Sequence, residues 1–480
     1  MNSKTVFTNL IWRFAERSGA QLVKFCVELI LARILLPDDY GLIALVTVFI
    51  TISNVFVDSG LGNALIQKKD ADQTDFSTVF FFNLVWCLIL YGLLFFLAPV
   101  IASSFSQPEF SAVLRVLGLQ IIISGVKNVQ QAYVSKNFMF KKFFFATLGG
   151  TIGAAVLGIW MAYQGFGVWA LVAQQLFNVT VDTIILWITV KWRPSREFSW
   201  NRFKRLFAYG WKLLASSLLE AVYNNIRQLI IGRFYSSGDL AFYNRGRQFP
   251  DFITSNVNSS IDSVLLPTLA SIQDRREQVK QMTRRAIKTS TYIMAPLMLG
   301  LAAVAEPMIR VILTEKWLPA LPYLRIFCIT FMFYPLHTAN LNAIKALGRS
   351  DLFLKLEVIK KIIGIIVLIL TMKLGVMAMA YSLLFTTLTS QIINSWPNRK
   401  LLDYGYMEQV KDIIPNIILA CMMGIIVYPV KYIEINSLFI LLIQIFIGIV
   451  IYLTGSFVLK LDTFNYLVEI LRLYIRKRSI

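Results

Sequence analysis

Apolar runs about twenty residues long recur from one end of this chain to the other, and no other feature narrows its fold so sharply. As a helix, ~20 apolar residues match the ~30 Å hydrocarbon core of a bilayer. Lipid offers no hydrogen-bond partners, so only helices and closed barrels cross it. Barrel strands would alternate over ~10 residues; these runs are about twice as long and do not alternate. Hydrophobic residues fill 57% of the 480 positions and charged residues 15%, against about 25% charged in soluble domains. A soluble fold of this length could not hide so much apolar surface. The expected class is an all-α polytopic membrane protein.

Spans are predicted near 8–35, 40–66, 76–102, 112–135, 143–163, 167–191, 206–235, 239–270, 283–313, 320–346, 353–373, 376–397, 412–431 and 436–459, about 14 in all. Loop charge tests that count. Alternate loops, such as "QKKDADQTD", "KWRPSREFSWNRFKR" and "QDRREQVKQMTRRAIK", together with both termini hold about 29 Lys and Arg; the intervening loops hold about 3, at Lys316, Lys373 and Lys431. A wrong count would scramble the alternation, so both termini are predicted cytoplasmic. The net charge of +20 is then loop charge that orients the protein, not a nucleic-acid footprint. The amino terminus lacks the apolar core and small-residue site of a cleaved signal peptide. Two stretches suit the headgroup layer: "RPSREFSWNRFKRLF", and "TFNYLVEILRLYIRKR" with Leu467, Ile470, Leu471 and Tyr474 at helical spacing.

The chain matches itself at an offset of roughly 200 residues. "LARILLPDDYG" ends the first predicted helix and "IIGRFYSSGDLAFY" the seventh, so Arg33 corresponds to Arg233. "AYVSKNFMFKK" pairs with "AIKALGRSDLFLK", and "GFGVWALVAQQ" with "KLGVMAMAYSL". Six spans per copy is an even number, so both copies enter from the same side and are related by an axis along the membrane normal. The expected organisation is an N-lobe at 1–205, a C-lobe at 206–400, and a segment at 401–480 with two extra spans and an amphipathic tail.

Charges in mid-span cost about 2.5–3.5 kcal/mol each on insertion scales, so they should face water or one another. Ser216, Glu220, Tyr223, Asn224 and Arg227 share one face of the seventh helix. Arg17, Gln21, Lys24 and Glu28 stripe the first, Thr47, Thr51, Asn54 and Asp58 the second, and Arg247, Asp251, Thr254, Asn258 and Asp262 the eighth. These are two equivalent pairs across the repeat, expected to line one water-filled cavity between the lobes; static buried salt bridges are the competing reading. Arg17, Gln21, Lys24, Arg33, Arg227, Arg233 and Arg247 are the candidate phosphate binders, because guanidinium forks suit phosphate oxygens. Tyr223, Tyr243 and Asn224 are candidates for sugar hydroxyls. Glu28, Asn54, Asp58, Glu220, Asp251, Asn258 and Asp262 contact glycan or hold a coupling Na⁺ or H⁺. Cys26, Cys87, Cys328 and Cys421 lie far apart in apolar runs and read as buried thiols. The single histidine, His337, beside Pro335, reads as a satisfied residue at a helix kink. No metal cluster, nucleophile motif or extramembrane catalytic segment is present, so no cofactor and no enzyme is expected.

The stretch "LARILLPDDYGLIALV…FVDSGLGNALIQKKD", with "STVFFFNL", "LAPVIASSF" and "SDLFLKLEVIKKI", resembles the Wzx-type polysaccharide exporters, the colanic-acid and teichuronic-acid-like branch of the multidrug/oligosaccharidyl-lipid/polysaccharide superfamily. That resemblance implies a V-shaped two-lobe fold in the bacterial inner membrane. It implies flipping of undecaprenyl-diphosphate-linked oligosaccharide from the cytoplasmic to the periplasmic leaflet for surface polysaccharide (O-antigen, capsule or exopolysaccharide). Cationic residues of the first helix would hold the diphosphate; here those are Arg17, Lys24 and Arg33. The expected partners are this lipid-linked substrate, membrane lipids and polysaccharide polymerase or assembly proteins, with the protein itself a monomer. The alternative is an ion-coupled multidrug-type exporter on the same fold, disfavoured by the excess of bases; a polymerase or ligase would need a large periplasmic loop.

Overall fold

The computed structural model describes residues 3–58, 60–105 and 107–478, with side chains described over 19–58, 60–105, 107–469 and at 472. Arg17, Ile470, Leu471 and Tyr474 fall outside the described side chains. Among the described residues every regular element is helical. Ten helical stretches are long and apolar enough to cross a membrane: 37–67, 73–105, 110–136, 140–163, 168–189, 276–312, 315–346, 376–402, 406–432 and 437–458. Each coincides with one of the predicted spans. By contact the chain divides into two compact units, Met1–Ala241 and Phe242–Ile480.

The first unit contains α1 (Ser3–Ile34), α2 (Pro37–Asp58), α3 (Leu61–Gln67), α4 (Gln73–Phe105), α5 (Phe110–Leu117), α6 (Leu119–Lys136), α7 (Phe140–Tyr163), α8 (Val168–Thr189) and α9 (Trp200–Phe234). Packing centres on α7, which pairs with α8 and with α1, while α6 touches α4, α8, α3 and α2. Small residues allow the α7–α8 approach: a methyl added to Gly150 would meet the Asn178 carbonyl at 2.9 Å. An apolar core joins Leu61, Val79, Val129, Phe143, Leu186 and Phe203. The stretch expected at the headgroup layer divides in two. Residues 191–199 are not helical, and side-chain bonds tie them to the start of α4, the following among them. Gln73 Nε2 donates to the Arg193 carbonyl at 2.6 Å, Ser195 N to Ser77 Oγ at 2.9 Å, Ser199 N to Thr78 Oγ1 at 3.1 Å, and Thr74 Oγ1 to Glu197 at 2.6 Å. Pro194 disfavours helix there, and α9 begins at Trp200, six residues before the predicted span.

The second unit contains most of α10 (Ser237–Ser271), then α11 (Arg276–Ile312), α12 (Leu321–Met332), α13 (Tyr334–Ala346), α14 (Ser350–Thr371), α15 (Val376–Leu402), α16 (Tyr406–Val427), α17 (Ser437–Val458) and α18 (Asp462–Arg478). Its pillar is α11, which packs on α12, α13, α15, α16 and α17. The two helices beyond the repeat are therefore bound into this unit. Tyr452 Oη donates to the Tyr292 carbonyl at 2.8 Å, and Tyr292 Oη meets Ser456 Oγ at 3.0 Å. A buried amide cluster also fixes α13, α15 and α16: Asn398 Nδ2 and Gln409 Nε2 both donate to Asn340 Oδ1, at 2.6 and 3.0 Å. Such groups must be satisfied internally where no water reaches.

The sequence repeat reappears as repeated local geometry. α1 ends at Ile34 and α9 at Phe234; α2 starts at Pro37 and α10 at Ser237. Asp39 accepts from Leu36 N at 3.0 Å and Asp239 from Ser236 N at 3.2 Å, the same turn 200 positions apart. After α6, Met139 N reaches the Val134 carbonyl at 3.0 Å; after α13, Arg349 N reaches that of Ile344 at 3.1 Å. These are matching Schellman closures, with Phe138 at φ 56° and Gly348 at φ 72° in the left-handed position. The packing boundary after Ala241 is a different quantity from the repeat boundary near 205, because α9 packs on α2, α3 and α4 of the first unit.

Candidate functional site

On α1, Gln21, Lys24 and Arg33 are exposed and Glu28 is half-buried. Lys24 Nζ lies 3.9 Å from Glu28 Oε1, one helical turn away, with its side chain 73% exposed. On α2, Asn54 is half-buried with its Oδ1 enclosed and unbonded. Asp58 ends the helix, exposed, and accepts from Asn128 Nδ2 at 2.6 Å. On α9, Ser216, Glu220, Asn224 and Arg233 are exposed, while Tyr223 and Arg227 are half-buried. On α10, Asp251 and Asp262 are exposed, Arg247 and Asn258 half-buried, and Thr254 buried. The Arg247 guanidinium lies over the Phe331 ring, 5.6 Å from its centroid. Each unit thus presents long helices whose apolar length is interrupted by ionic side chains open to their surroundings.

Two expectations are corrected by burial. Tyr243 does not face open space: it is fully buried, edge-on to Phe327 at 5.0 Å and to Tyr323 at 6.0 Å. Its ring completes an aromatic core, so it is not available to a sugar. Of the four cysteines only Cys87 and Cys328 are buried; Cys26 and Cys421 are exposed on α1 and α16. A thiol is apolar enough to face lipid, so an apolar run does not imply burial inside the protein. His337 is half-buried in α13, just past the helix break at Phe333, with Nδ1 3.1 Å from Asn394 Nδ2.

The sequence reading missed the paired charges. Lys127 on α6 and Asp182 on α8 sit 3.0 Å apart inside the first unit, their side chains 16% and 10% exposed. In the second unit Arg284 of α11 meets Asp412 of α16 at 2.7 Å, and Tyr404 Oη donates to the other carboxylate oxygen at 2.9 Å. In the first unit Asp75, fully buried, takes Lys68 at 2.6 Å and Arg202 at 3.4 Å, and Arg202 also reaches Asp72. Hydrogen bonding from Arg202 holds the Asp72 carboxyl at about 2, below its usual range. A stripe criterion looks for several polar residues on one helix. These are single charges on different helices, so only a contact could reveal them.

Ten helices long and apolar enough to cross a membrane define the first class, that of multi-pass membrane proteins. The chain belongs to the polysaccharide biosynthesis protein family, whose model matches residues 30–322, as the resemblance of residues 31–70 led one to expect. It is 27% identical over 331 residues to the succinoglycan biosynthesis transport protein ExoT of Rhizobium meliloti (strain 1021), covering 69% of this chain and 67% of that one. It is 24% identical over 387 residues to the teichuronic acid biosynthesis protein TuaB of Bacillus subtilis (strain 168), covering 79% of each. Likeness to the lipopolysaccharide biosynthesis protein WzxC of Escherichia coli (strain K12) is 24% over 384 residues, 78% of this chain and 76% of that one. Among solved structures, the lipid II flippase MurJ in an inward closed conformation superposes with a TM-score of 0.77 at 15% identity, covering 94% of this chain and 99% of that one. An inward-facing multidrug resistance MATE family transporter gives 0.63 at 16% identity, covering 82% and 98%.

Proposed function

We propose that the protein flips undecaprenyl-diphosphate-linked oligosaccharide repeat units from the cytoplasmic to the outer leaflet of the bacterial inner membrane, for assembly of a surface polysaccharide. One observation carries the reading: Lys24, Glu220, Asp251 and Asp262 are exposed on helices of membrane-spanning length. In lipid each would cost about 2.5–3.5 kcal/mol, so a hydrated pathway is the arrangement that tolerates them. In this reading α1, α9, α10 and α14, of 32, 35, 35 and 22 residues, join the ten apolar spans to make fourteen. Both termini are cytoplasmic, and two lobes rock in alternating access. Arg17, Lys24, Arg227 and Arg247 engage the diphosphate, Tyr223 and Asn224 meet the glycan, and the acids relay a coupling Na⁺ or H⁺. Family membership and the relatives named above support the substrate class. The test is a leaflet assay in proteoliposomes with a lipid-linked oligosaccharide matched to the host. Translocation should fall at least tenfold in the Arg17→Ala/Lys24→Ala and Arg227→Ala/Arg247→Ala proteins. Wild-type rates in both would remove these bases from the pathway.

A further inference from the structure

α10 and α11 diverge to leave a groove of about 550 Å³ within the second unit, a volume in the range of ligand sites. Val257, Ile261 and Val264 form one wall, and Met282, Ala286 and Ile293 the other. From Met282 to Ile293 it runs about 16 Å along α11, half the hydrocarbon core. Four polar side chains on its lining are spent on their own helices. Asn256 Nδ2 donates to the Phe252 carbonyl at 2.7 Å, Ser260 Oγ to that of Asn256 at 2.8 Å, Thr268 Oγ1 to Val264 at 2.6 Å, and Ser290 Oγ to Ile287 at 3.2 Å. With their donors satisfied locally, the walls offer hydrocarbon contact and little for a glycan to bond.

The same stretch of α11 carries four cations, none of them on the groove's lining. Three have carboxylate partners: Lys280 with Asp403 at 3.9 Å, Arg284 with Asp412 at 2.7 Å, and Lys288 with Asp462 at 3.1 Å. The fourth, Arg285, is exposed and has no carboxylate partner among the described residues. Its guanidinium stacks 4.6 Å from the Tyr466 ring centroid on α18, which steadies the fork without neutralising it. Arg285 stands three residues past Met282 and four before Thr289, at the edge of the α11 face that lines the groove.

We infer that this groove seats the polyprenyl tail of the substrate, with Arg285 holding a phosphate at its mouth. The inference rests on the flippase reading and adds a place for the tail to it. An apolar slot flanked by one uncompensated guanidinium is complementary to a long hydrocarbon chain carrying an anionic head.

The experiment uses the full-length protein in nanodiscs and an undecaprenyl diphosphate with a photoreactive group in its tail. Crosslinked peptides should map to 253–268 and 282–293. Ala286→Trp and Val257→Trp, each filling the groove, should cut that labelling at least tenfold while keeping the wild-type elution profile. Ile369→Trp on the exposed face of α14 should change nothing, and Arg285→Gln should weaken competition by unlabelled undecaprenyl diphosphate about tenfold. Equal competition by phosphatidylglycerol would mean that bulk lipid fills the slot, and would overturn the inference. So would labelling confined to other helices. If the wild type still flips its substrate in either case, only the groove assignment fails; a wild type that neither binds nor flips defeats the flippase reading itself.

Discussion

α1 and α9 occupy equivalent places in the two copies of the repeat, and they end alike but pack differently. Both close one residue before an identical Asp-capped turn, at Asp39 and at Asp239. Yet α1 rests on α7, within its own copy, whereas α9, the first helix of the second copy, packs on α2, α3 and α4 of the first unit. The cause is local sterics. A methyl on Gly60 would overlap the backbone of Gly210, and one on Gly232 would meet the Leu45 side chain at 2.6 Å. Close backbone approach of this kind is what brings helices together in lipid, where hydrophobic burial supplies no drive. On α1, by contrast, Gly19 has open space around it. Duplicated chains thus preserve their turns while the small residues between them reassign partners.

The largest expected effect breaks the support under α1. Asp182→Ala leaves Lys127 buried without its counter-charge, which should cost about 3–5 kcal/mol. Because α8 carries α7 and α7 carries α1, hydrogen exchange in nanodiscs should rise in α1 and α7 more than in α9. Adding Lys127→Met should restore most of the loss; a double variant as unstable as the single one would show that the pair is not what holds α8 to α6. Next comes the support of α9. Gly60→Leu adds overpacking to a residue at φ 67° and should cost about 3 kcal/mol, with exchange rising in α9 and not in α1. Gly19→Ala is the matched control and should lose nothing. The smallest effect concerns what the two helices share. Asp39→Ala and Asp239→Ala should each cost about 1 kcal/mol of thermal stability. A several-fold difference between those two would show that the turns are equivalent in shape but not in energy.

What could be read from the residues follows the range of the interaction. The ten apolar helices, the repeat and its turns are written in neighbours: apolar runs, Asp five residues past a helix end, Gly348 in a left-handed position. The stripes on α1, α9 and α10 were legible because helical spacing gathers Gln21 with Lys24, and Glu220 with Asn224, on one face. Asp182 and Lys127 were not, since 55 residues separate them and each is a single charge in an apolar helix. Residues 191–199 look basic and aromatic in sequence, and only their bonds to Ser77 and Thr78, about 120 positions away, reveal a strap on α4. Tyr243 reads as polar and proves to be core because Phe327 and Tyr323 close over it.

The Schellman turns that follow α6 and α13 close in the same way, yet one has glycine at its left-handed corner and the other holds Phe138. An L-residue there sits about 1–2 kcal/mol above glycine. The strain of that corner is therefore carried by one turn alone, and Phe138→Gly is where a single substitution would make this transporter sturdier.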